Sequence, residues 1–237
     1  MFRAIVYAAV LSGIISGIFV SAVQAVRVVP LILEAEKYEA AASADVGSGN
    51  ERDVGAGLES GDEDKVWAPD GVFERIAFTV SANLLAAIGY ALLLAAAFAA
   101  TGSGDWHSGL LWGLGGFAAF ALAPALGLPP ELPGAAAAEL GARQAWWGGT
   151  AAATAAGLAL VVRSRHPHSA VLGILLIALP HLIGAPEPQN HEGVAPEALA
   201  RAFVVASLIT NFLFWAVLGA ATGFFFDRLG HDQTTTS

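Results

Sequence analysis

Six long apolar segments are the feature that most limits what this chain can fold into. A helix needs roughly 20 consecutive apolar residues, with about 17 to 25 tolerated, to cross a hydrocarbon core of about 30 Å. Residues 4–26, 76–100, 109–128, 145–162, 169–185 and 202–226 reach or approach that length. Composition agrees, since 56% of the 237 residues are hydrophobic and only 13% are charged. The sequence therefore predicts an all-α, polytopic integral membrane bundle, with residues 1–237 forming a single membrane domain.

The number of spans is open between six and five. The fourth and fifth segments are short and could form a hairpin that does not fully cross the bilayer. The first segment also has an alternative interpretation, because Arg3, the apolar run and "SAVQA" resemble a secretory signal with its cleavage site. Against a signal, the run exceeds the usual length of about 7 to 15 residues. Gly13 and Gly17 form a GxxxG pattern, which favours close packing between membrane helices.

The distribution of charged residues predicts the orientation of the chain in the membrane. With six spans and a cytoplasmic N-terminus, the short cytoplasmic segments carry Arg3, Arg163, Arg165 and Arg228, which agrees with the preference of Lys and Arg for that side, although residues 28–75 on the other side also hold four basic residues. The opposite side then receives 17 of the 20 acidic residues. We therefore predict that both termini are cytoplasmic and that the outer face is strongly acidic.

Most of the acid lies in one segment, residues 28–75, which has 12 acidic and 4 basic residues and is predicted to be a long extracytoplasmic loop. Its middle, about residues 43–64, is rich in Gly, Ser and acids, so we predict no ordered structure there. Its start, "VPLILEAEKYEA", contains helix-forming residues that could extend the first helix. The acids could serve solubility, or they could raise the local concentration of cations.

One histidine stands inside an apolar segment. His181 lies about 6 Å below the end of residues 169–185, where an ionisable group is costly and indicates function. Pro180 cannot donate to the carbonyl of Leu176, so we expect a kink and a free oxygen beside the imidazole. A neutral histidine bonded to a neighbouring helix would explain the position equally. The site is either a cation ligand or a structural hydrogen bond.

A metal site in this chain must use nitrogen and oxygen, because there is no cysteine. No P-loop is present, and "HEGVA" lacks the second histidine of a zinc protease motif. Imidazole with carboxylate and carbonyl oxygens suits a borderline divalent transition metal. The predicted metal ligands are the residues of this type near the outer boundary: His181, Glu187, His191, Glu34 and Glu36.

Polar residues also recur within the spans. Asn83 and Tyr90 share one face of the second span, because seven residues are close to two helical turns. Asn211 follows Ser207 by four residues in the last span. We predict Asn83, Tyr90 and Asn211 as pathway-lining residues, although the same side chains could instead hydrogen-bond helices together.

Four stretches resemble the CbtA family of proposed cobalt transporter subunits. They are "VPLILEAEKYE", "FERIAFTVSANLLAAIGYALLLA", "HPHSAVLGILLIALPH" and the overlapping "LPHLIGAPEP". The resemblance implies a bacterial or archaeal membrane protein tied to cobalamin biosynthesis, with a small single-span, histidine-rich partner protein. The family is usually described with five spans, whereas six are counted in this sequence. The Gly- and acid-rich insert over residues 41–65 also departs from the family pattern.

The predicted function is that of a multi-pass permease subunit in the cell membrane, which takes up a divalent transition metal, cobalt, for cobalamin biosynthesis. The alternative is a non-transporting membrane scaffold or assembly subunit whose intramembrane polar residues are structural. The sequence offers no catalytic constellation, so no enzyme activity is expected. No resident cofactor is expected, since the metal would be cargo, and no nucleic-acid partner is expected beside the lipid bilayer.

Overall fold

A computed structural model describes residues 2–50, 71–102, 104–163, 166–188 and 193–234. These residues form seven helices and no strand, which confirms the all-α prediction. The helices are α1 (Phe2–Arg27), α2 (Val29–Asn50), α3 (Val72–Thr101), α4 (Trp106–Ala125), α5 (Leu140–Arg163), α6 (Pro167–Ile183) and α7 (Glu197–Thr234). Five of them, α1, α3, α4, α5 and α7, are long and apolar enough to cross a membrane, whereas α6 has 17 residues.

Helices α1, α3, α4 and α7 form a tightly packed core. Helix α1 lies against both α3 and α7, and α4 runs along α7. The GxxxG pattern makes the α1–α3 contact, since a Cβ on Gly13 would lie 2.7 Å from Ile88 Cα and one on Gly17 would lie 2.9 Å from Leu84 Cα. The predicted packing role of this pattern is confirmed.

Glycine also brings α4 and α7 together. A Cβ on Gly113 would lie 2.3 Å from the carbonyl oxygen of Trp215, and one on Gly219 would lie 2.3 Å from the carbonyl oxygen of Gly109. Real side chains cannot approach so closely, so the two backbones touch without any intervening side chain. Larger apolar residues, Phe98 and Leu218 among them, fill the rest of this core and are fully buried.

The two ends of the bundle differ in charge. At one end, Val28, Ala35, Leu132 and Phe203 form a small cluster that joins the α1–α2 junction, the α4–α5 loop and the start of α7. Most of the acidic residues that the structure describes lie in the elements that meet at this end, on α2, at the start of α3, in the α4–α5 loop and at the start of α7, and we call it the acidic end. At the other end, the α3–α4 turn meets α7, where a Cβ on Gly223 would lie 2.3 Å from the carbonyl oxygen of Asp105.

Helices α5 and α6 form a hairpin beside the core. They touch backbone to backbone, since a Cβ on Gly157 would lie 2.5 Å from the carbonyl oxygen of Gly173. Within the described residues no other helix packs along α6. Its outer face is apolar and exposed, as suits contact with lipid: Val171, Leu172, Ile174, Leu175, Leu179 and Leu182. Although α6 is short, it carries the chain back to the acidic end.

The 28–75 segment begins with a helix rather than a loop. Helix α1 ends at Arg27 and α2 starts at Val29. Pro30 has no N–H, so it cannot donate the backbone hydrogen bond that would continue α1. The expected extension of the first helix is therefore a separate helix. It reaches Asn50 and so includes the first residues of the stretch predicted to lack order, residues 43–64. Ala-rich sequence at residues 40–42 favours this continuation. Residues 51–70 lie outside the described part, and the prediction for them stays a prediction.

Candidate metal site

His181 sits near the end of α6, at the acidic end of the bundle. The helix is continuous through Pro180 and ends at Ile183, where the N–H of Gly184 donates to the carbonyl of Pro180 at 3.0 Å. Gly184 has φ of +91°, a value that side-chain-bearing residues rarely adopt, so the helix ends there. Pro180 lacks an N–H and cannot donate to the carbonyl of Leu176, one turn back. An imidazole and a carbonyl without its helical donor thus lie close in sequence at the helix end.

The imidazole of His181 packs against the indole of Trp146 on α5. The two ring centroids are 5.9 Å apart with an interplanar angle of 73°, an edge contact. His181 Nε2 and Trp146 Nε1 are both buried, and neither has a hydrogen-bond partner among the described residues. A buried polar atom without a partner costs about 1–3 kcal/mol, so a place for water or a ligand is indicated. The indole can only donate, whereas an imidazole nitrogen can bind a metal.

The two rings line a cavity of about 430 Å³, which we call the histidine cavity. Gly127 forms part of its wall, and a Cβ there would lie 2.4 Å from the Trp146 ring and 2.9 Å from Ala185 Cβ. The glycine therefore lets the α4–α5 loop press against the indole. The other lining residues are Leu126, Leu128, Pro129, Glu131, Ala138, Pro186, Glu187 and Pro188.

The predicted ligands are only partly brought together. Glu187 lines the histidine cavity with His181, while His191 lies outside the described residues. Glu34 and Glu36 lie on α2 and do not line this cavity, and Glu36 pairs with Arg75 at 2.9 Å. Within the described ranges, no group of three or more His, Cys, Asp or Glu side chains is placed to hold a metal ion. The cavity therefore offers one nitrogen and nearby carboxylates, rather than a closed coordination shell.

A second cavity of about 640 Å³, which we call the second cavity, adjoins the first; it is open to its surroundings, and Asn211 on its wall is exposed. Asn211 is 14 residues into α7, about 21 Å from the helix start at 1.5 Å per residue. The cavity is lined by Phe120, Ala121, Pro124, Ala125, Leu128, Pro129, Pro130, Glu131, Leu140, Arg143, Gln144, Trp147, Gly148, Leu208 and Asn211.

The other two predicted pathway residues make helix contacts. Tyr90 is half-buried in an aromatic cluster, with ring centroids 5.3 Å from Phe120 and 4.8 Å from Trp215. Through Phe120 it supports the wall of the second cavity. The amide of Asn83 donates to Ser21 Oγ at 3.0 Å and to Gln24 Oε1 at 2.6 Å, which joins α1 to α3.

A π-helical turn shapes the second cavity. Residues Ala118–Leu122 adopt this wider turn within α4, and the N–H of Ala123 donates to the carbonyl of Ala118. Pro124 explains the widening, since its ring would clash with the carbonyl of Phe120 in a regular α-helix. Such turns are frequent at functional sites, because the extra residue redirects neighbouring side chains. Here Phe120 and Ala121 line the cavity.

Sequence reasoning missed an ion pair between the cavities. Arg143 Nη2 donates to Glu131 Oε2 at 2.6 Å, and the two side chains are 29% and 26% exposed. The two residues are 12 apart in sequence, on opposite sides of a loop, so no helical spacing could have indicated the pair. The available signal was a carboxylate within "LPPELPG", where prolines stiffen the backbone.

Glu139 has a purely local role at the start of α5. Its carboxylate accepts hydrogen bonds from the backbone N–H groups of Gly141 at 2.8 Å and Ala142 at 2.7 Å. These bonds favour the charged form and lower the pKa of Glu139 below its ordinary value of 4.5. Glu139 therefore caps the helix that carries Arg143 and Trp146.

Comparison with known proteins places the chain in a family. The model of the family described as "Probable cobalt transporter subunit (CbtA)" matches residues 2–227, nearly the whole chain. The protein belongs to the CbtA family. No curated protein and no solved structure matches it. The resemblance carried by the four quoted stretches is thus confirmed, and with the apolar helices it identifies a multi-pass membrane protein of a cobalt transporter family.

Proposed function

We propose that this CbtA-family protein is the permease subunit of an uptake system for a divalent transition metal, cobalt, which supplies cobalamin biosynthesis. One observation carries the proposal beyond the family description. His181 Nε2 is buried and without a hydrogen-bond partner in the described chain, on the wall of a cavity that also contains Glu131 and Glu187. A free imidazole nitrogen beside carboxylates favours a borderline divalent metal over Mg²⁺ or Ca²⁺.

The incomplete ligand set is consistent with transport. A transported ion must bind well enough to enter and weakly enough to leave, and a closed shell of protein ligands would retain it. In this mechanism the acidic end, including Glu34 and Glu36, concentrates the cation, and His191 is proposed as a further ligand. His181 and Glu187 then hold it with water in the remaining positions. Asn211 and the second cavity lie further along the proposed path.

Partner and energy source follow from the same mechanism. The family description names one component of a transporter, and we propose that the other component is a small single-span protein with a histidine-rich tail. A membrane potential supplies about 2.3 kcal/mol per charge per 100 mV, and a divalent cation doubles this. The proposed location of the protein is the cell membrane of a bacterium or archaeon. The chain needs no catalytic activity and no resident cofactor for this role.

A scaffold or assembly subunit is the alternative function, and two contacts favour it. The edge contact with Trp146 gives His181 a packing role, and Asn83 uses its amide to join α1 to α3. In such a protein the intramembrane polar groups would only hold helices together. Both roles allow His181 to be buried, so an experiment must test directly whether its Nε2 binds a metal.

The test is cobalt uptake by cells that express the chain with and without its proposed partner. We expect His181→Ala and His181→Asn both to reduce uptake by about 10- to 100-fold, because neither side chain supplies a good ligand for a borderline metal. His107→Ala is the matched control, since His107 is exposed in the first turn of α4, at the other end of the bundle from His181. Amounts of each variant in the membrane are measured alongside. Near-normal uptake with His181→Asn would establish a structural histidine and favour the scaffold.

A further inference from the structure

The second cavity is a hollow that three helices form at the surface of the bundle. The π-helical turn of α4, the first turns of α5 and residues 208–211 of α7 contribute to its walls, together with the α4–α5 loop. Beside its lining residues in sequence, Leu122, Ile209 and Phe212 are exposed and apolar, which suits contact with hydrocarbon chains. The hollow therefore opens toward the membrane, where lipid or another helix must cover it. Five of its lining residues are themselves exposed: Pro129, Leu140, Gln144, Trp147 and Asn211.

An amide group lies in this hollow at membrane depth. Asn211 is eight residues beyond Phe203 of the acidic-end cluster, so it lies about 12 Å deeper along α7. Its amide nitrogen donates to the carbonyl of Ser207 at 3.0 Å, and its oxygen has no hydrogen-bond partner among the described residues. Asn83, by contrast, has both of its partners within this chain. Because a polar group in hydrocarbon is costly unless another group bonds to it, Asn211 requires a partner from outside the described chain.

The same hollow has room for the backbone of another helix. Gly148 lines it, and a Cβ there would meet nothing within 4 Å. Glycine at such a position lets two membrane helices approach closely. Gln144, one turn earlier on the same wall, also has no hydrogen-bond partner in the part of the chain that the structure describes. A helix in the hollow would therefore meet two amides and a glycine.

A second copy of this chain fits the hollow poorly. In a symmetric dimer the same surface lies on both sides, so two hollows would face each other and stay unfilled. Helix α6 has only one helical neighbour in the described chain, but its exposed side chains between Val171 and Leu182 are apolar and cannot bond to Asn211. The chemistry favours a separate membrane helix that carries Ser, Thr, Asn, Gln or His.

We propose that the second cavity is the docking surface for a single membrane-spanning helix of the other transporter component, which hydrogen-bonds to Asn211 and covers the hollow. The existence of that component rests on the proposed function and on the family description of this chain as a transporter subunit. The docked helix also closes the proposed path, which this chain alone leaves open beside Asn211. A cation therefore passes between the two proteins at this point.

Co-purification tests the docking surface without any metal. The chain is expressed with the proposed small single-span protein, which carries an epitope tag, and the amount of tagged protein retained is measured. Gly148→Leu fills the hollow, so we expect retention to fall at least about tenfold. Asn211→Leu removes the amide at similar volume and should lower retention about two- to threefold. Gly149→Leu is the matched control and should retain the native amount, because Gly149 is exposed but does not line the cavity.

The melting temperature of this chain alone separates docking from folding. None of the three variants should lower it, since the glycines have open space and Asn211 bonds only within its own helix. Equal retention by Gly148→Leu and Gly149→Leu would overturn the docking surface. Failure of the native chain to retain the tagged protein would overturn it too.

Photocross-linking identifies what covers the hollow. The photoreactive residue p-benzoylphenylalanine replaces either Leu208, on the wall of the cavity, or Leu175, on the outer face of α6. In membranes that contain both proteins, we expect a cross-link to the tagged protein from position 208 and none from position 175. A cross-link between two copies of this chain from position 208 would overturn the proposed partner. The absence of any protein product there would mean that lipid covers the hollow, and would overturn docking.

Cobalt uptake by the same cells separates this inference from the proposed function. If the tagged protein docks at the second cavity but the cells take up no Co²⁺, the proposed cargo has failed and the docking surface stands. If uptake requires the tagged protein but Gly148→Leu changes neither uptake nor retention, the docking surface has failed and the proposed function stands.

Discussion

The four-helix core and the α5–α6 hairpin are built on different principles. In the core, α1, α3, α4 and α7 meet each other through glycines on two separate interfaces and enclose fully buried apolar side chains. In the hairpin, α5 and α6 share one glycine contact, and α6 has no other helical neighbour in the described chain. The core therefore supplies a fixed frame, and the hairpin is the less constrained part.

Among the described residues, buried polar atoms without a hydrogen-bond partner are more numerous in the hairpin than in the core. His181 Nε2 and Trp146 Nε1 belong to two rings that pack against each other in the hairpin, and Thr150 and Thr154 on α5 also have buried hydroxyls without partners in the described residues. The core has two such atoms, in Ser16 and Thr210. In a bilayer no water is at hand to satisfy these groups, so the hairpin, where more of them lie, is the part in which we propose the metal site.

The largest effect is expected from one methyl group in the core. Gly113→Ala places a Cβ 2.3 Å from the Trp215 carbonyl and 3.0 Å from Gly219 Cα, and both are backbone atoms that can yield only if the helices separate. Overpacking of this kind typically costs about 1–3 kcal/mol, sometimes more. We expect the melting temperature of the detergent-solubilised protein to fall by several degrees and its yield to drop.

Gly115→Ala is the matched control for that experiment. It lies two residues further along α4, where an added Cβ would meet nothing within 4 Å. Because alanine is about 1 kcal/mol better than glycine in a helix interior, its melting temperature should be unchanged or raised. Similar losses for both variants would mean that the α4–α7 contact is not the frame.

A smaller loss of stability, with a larger loss of function, is expected in the hairpin. Gly157→Ala places a Cβ 2.5 Å from the Gly173 carbonyl and 2.6 Å from Ile177 Cγ1. Separation of α5 from α6 should shift His181 relative to Trp146 while the core stays folded. We expect a melting temperature above that of Gly113→Ala, together with at least a several-fold reduction of cobalt uptake.

Gly149→Ala, on the same helix, tests whether the loss comes from the α5–α6 contact. An added Cβ at Gly149 would meet nothing within 4 Å, and the residue is exposed. Its uptake should equal that of the native protein. If Gly157→Ala instead unfolds the protein as completely as Gly113→Ala, the division into frame and hairpin is wrong.

The frame could be predicted from the sequence better than the site, and the reason is the range of the interactions. Span positions follow from local hydrophobicity, and the Gly13 and Gly17 pattern is a local spacing along one helix. His181 also stood out locally, as an ionisable residue within an apolar run. The histidine cavity depends instead on Gly127, Trp146 and Glu131, which meet His181 only after the loop and the hairpin have packed. No periodicity connects those positions.

Two predictions show what sequence position and periodicity cannot supply. Glu34 and Glu36 were grouped with His181 because both are acidic and near the boundary, but α2 continues as a separate helix and Glu36 pairs with Arg75. Asn83 shared a helix face with Tyr90, yet its amide bridges to Ser21 and Gln24 on α1. Periodicity assigns a residue to a face, and it does not say which neighbour covers that face.

The smallest effect is expected at the start of the hairpin, from Glu139→Gln. The carboxylate is exposed and accepts from the N–H groups of Gly141 and Ala142, and an amide oxygen can accept the same bonds without the charge that favours a helix N-terminus. The lowered pKa of Glu139 fixes the sign of the pH dependence. The stabilisation is complete above the ordinary value of 4.5 and is lost as the pH falls through the lower folded-state value. The native melting temperature should therefore exceed that of the variant by about a degree or less from pH 8 to pH 6, and the two should converge under strong acid.

The control is Glu34→Gln, at an exposed carboxylate without a hydrogen bond or ion pair in the described chain, and its melting temperature should equal that of the native protein at neutral pH. A Glu139→Gln difference that widens toward acid would show that the charge does not cap α5.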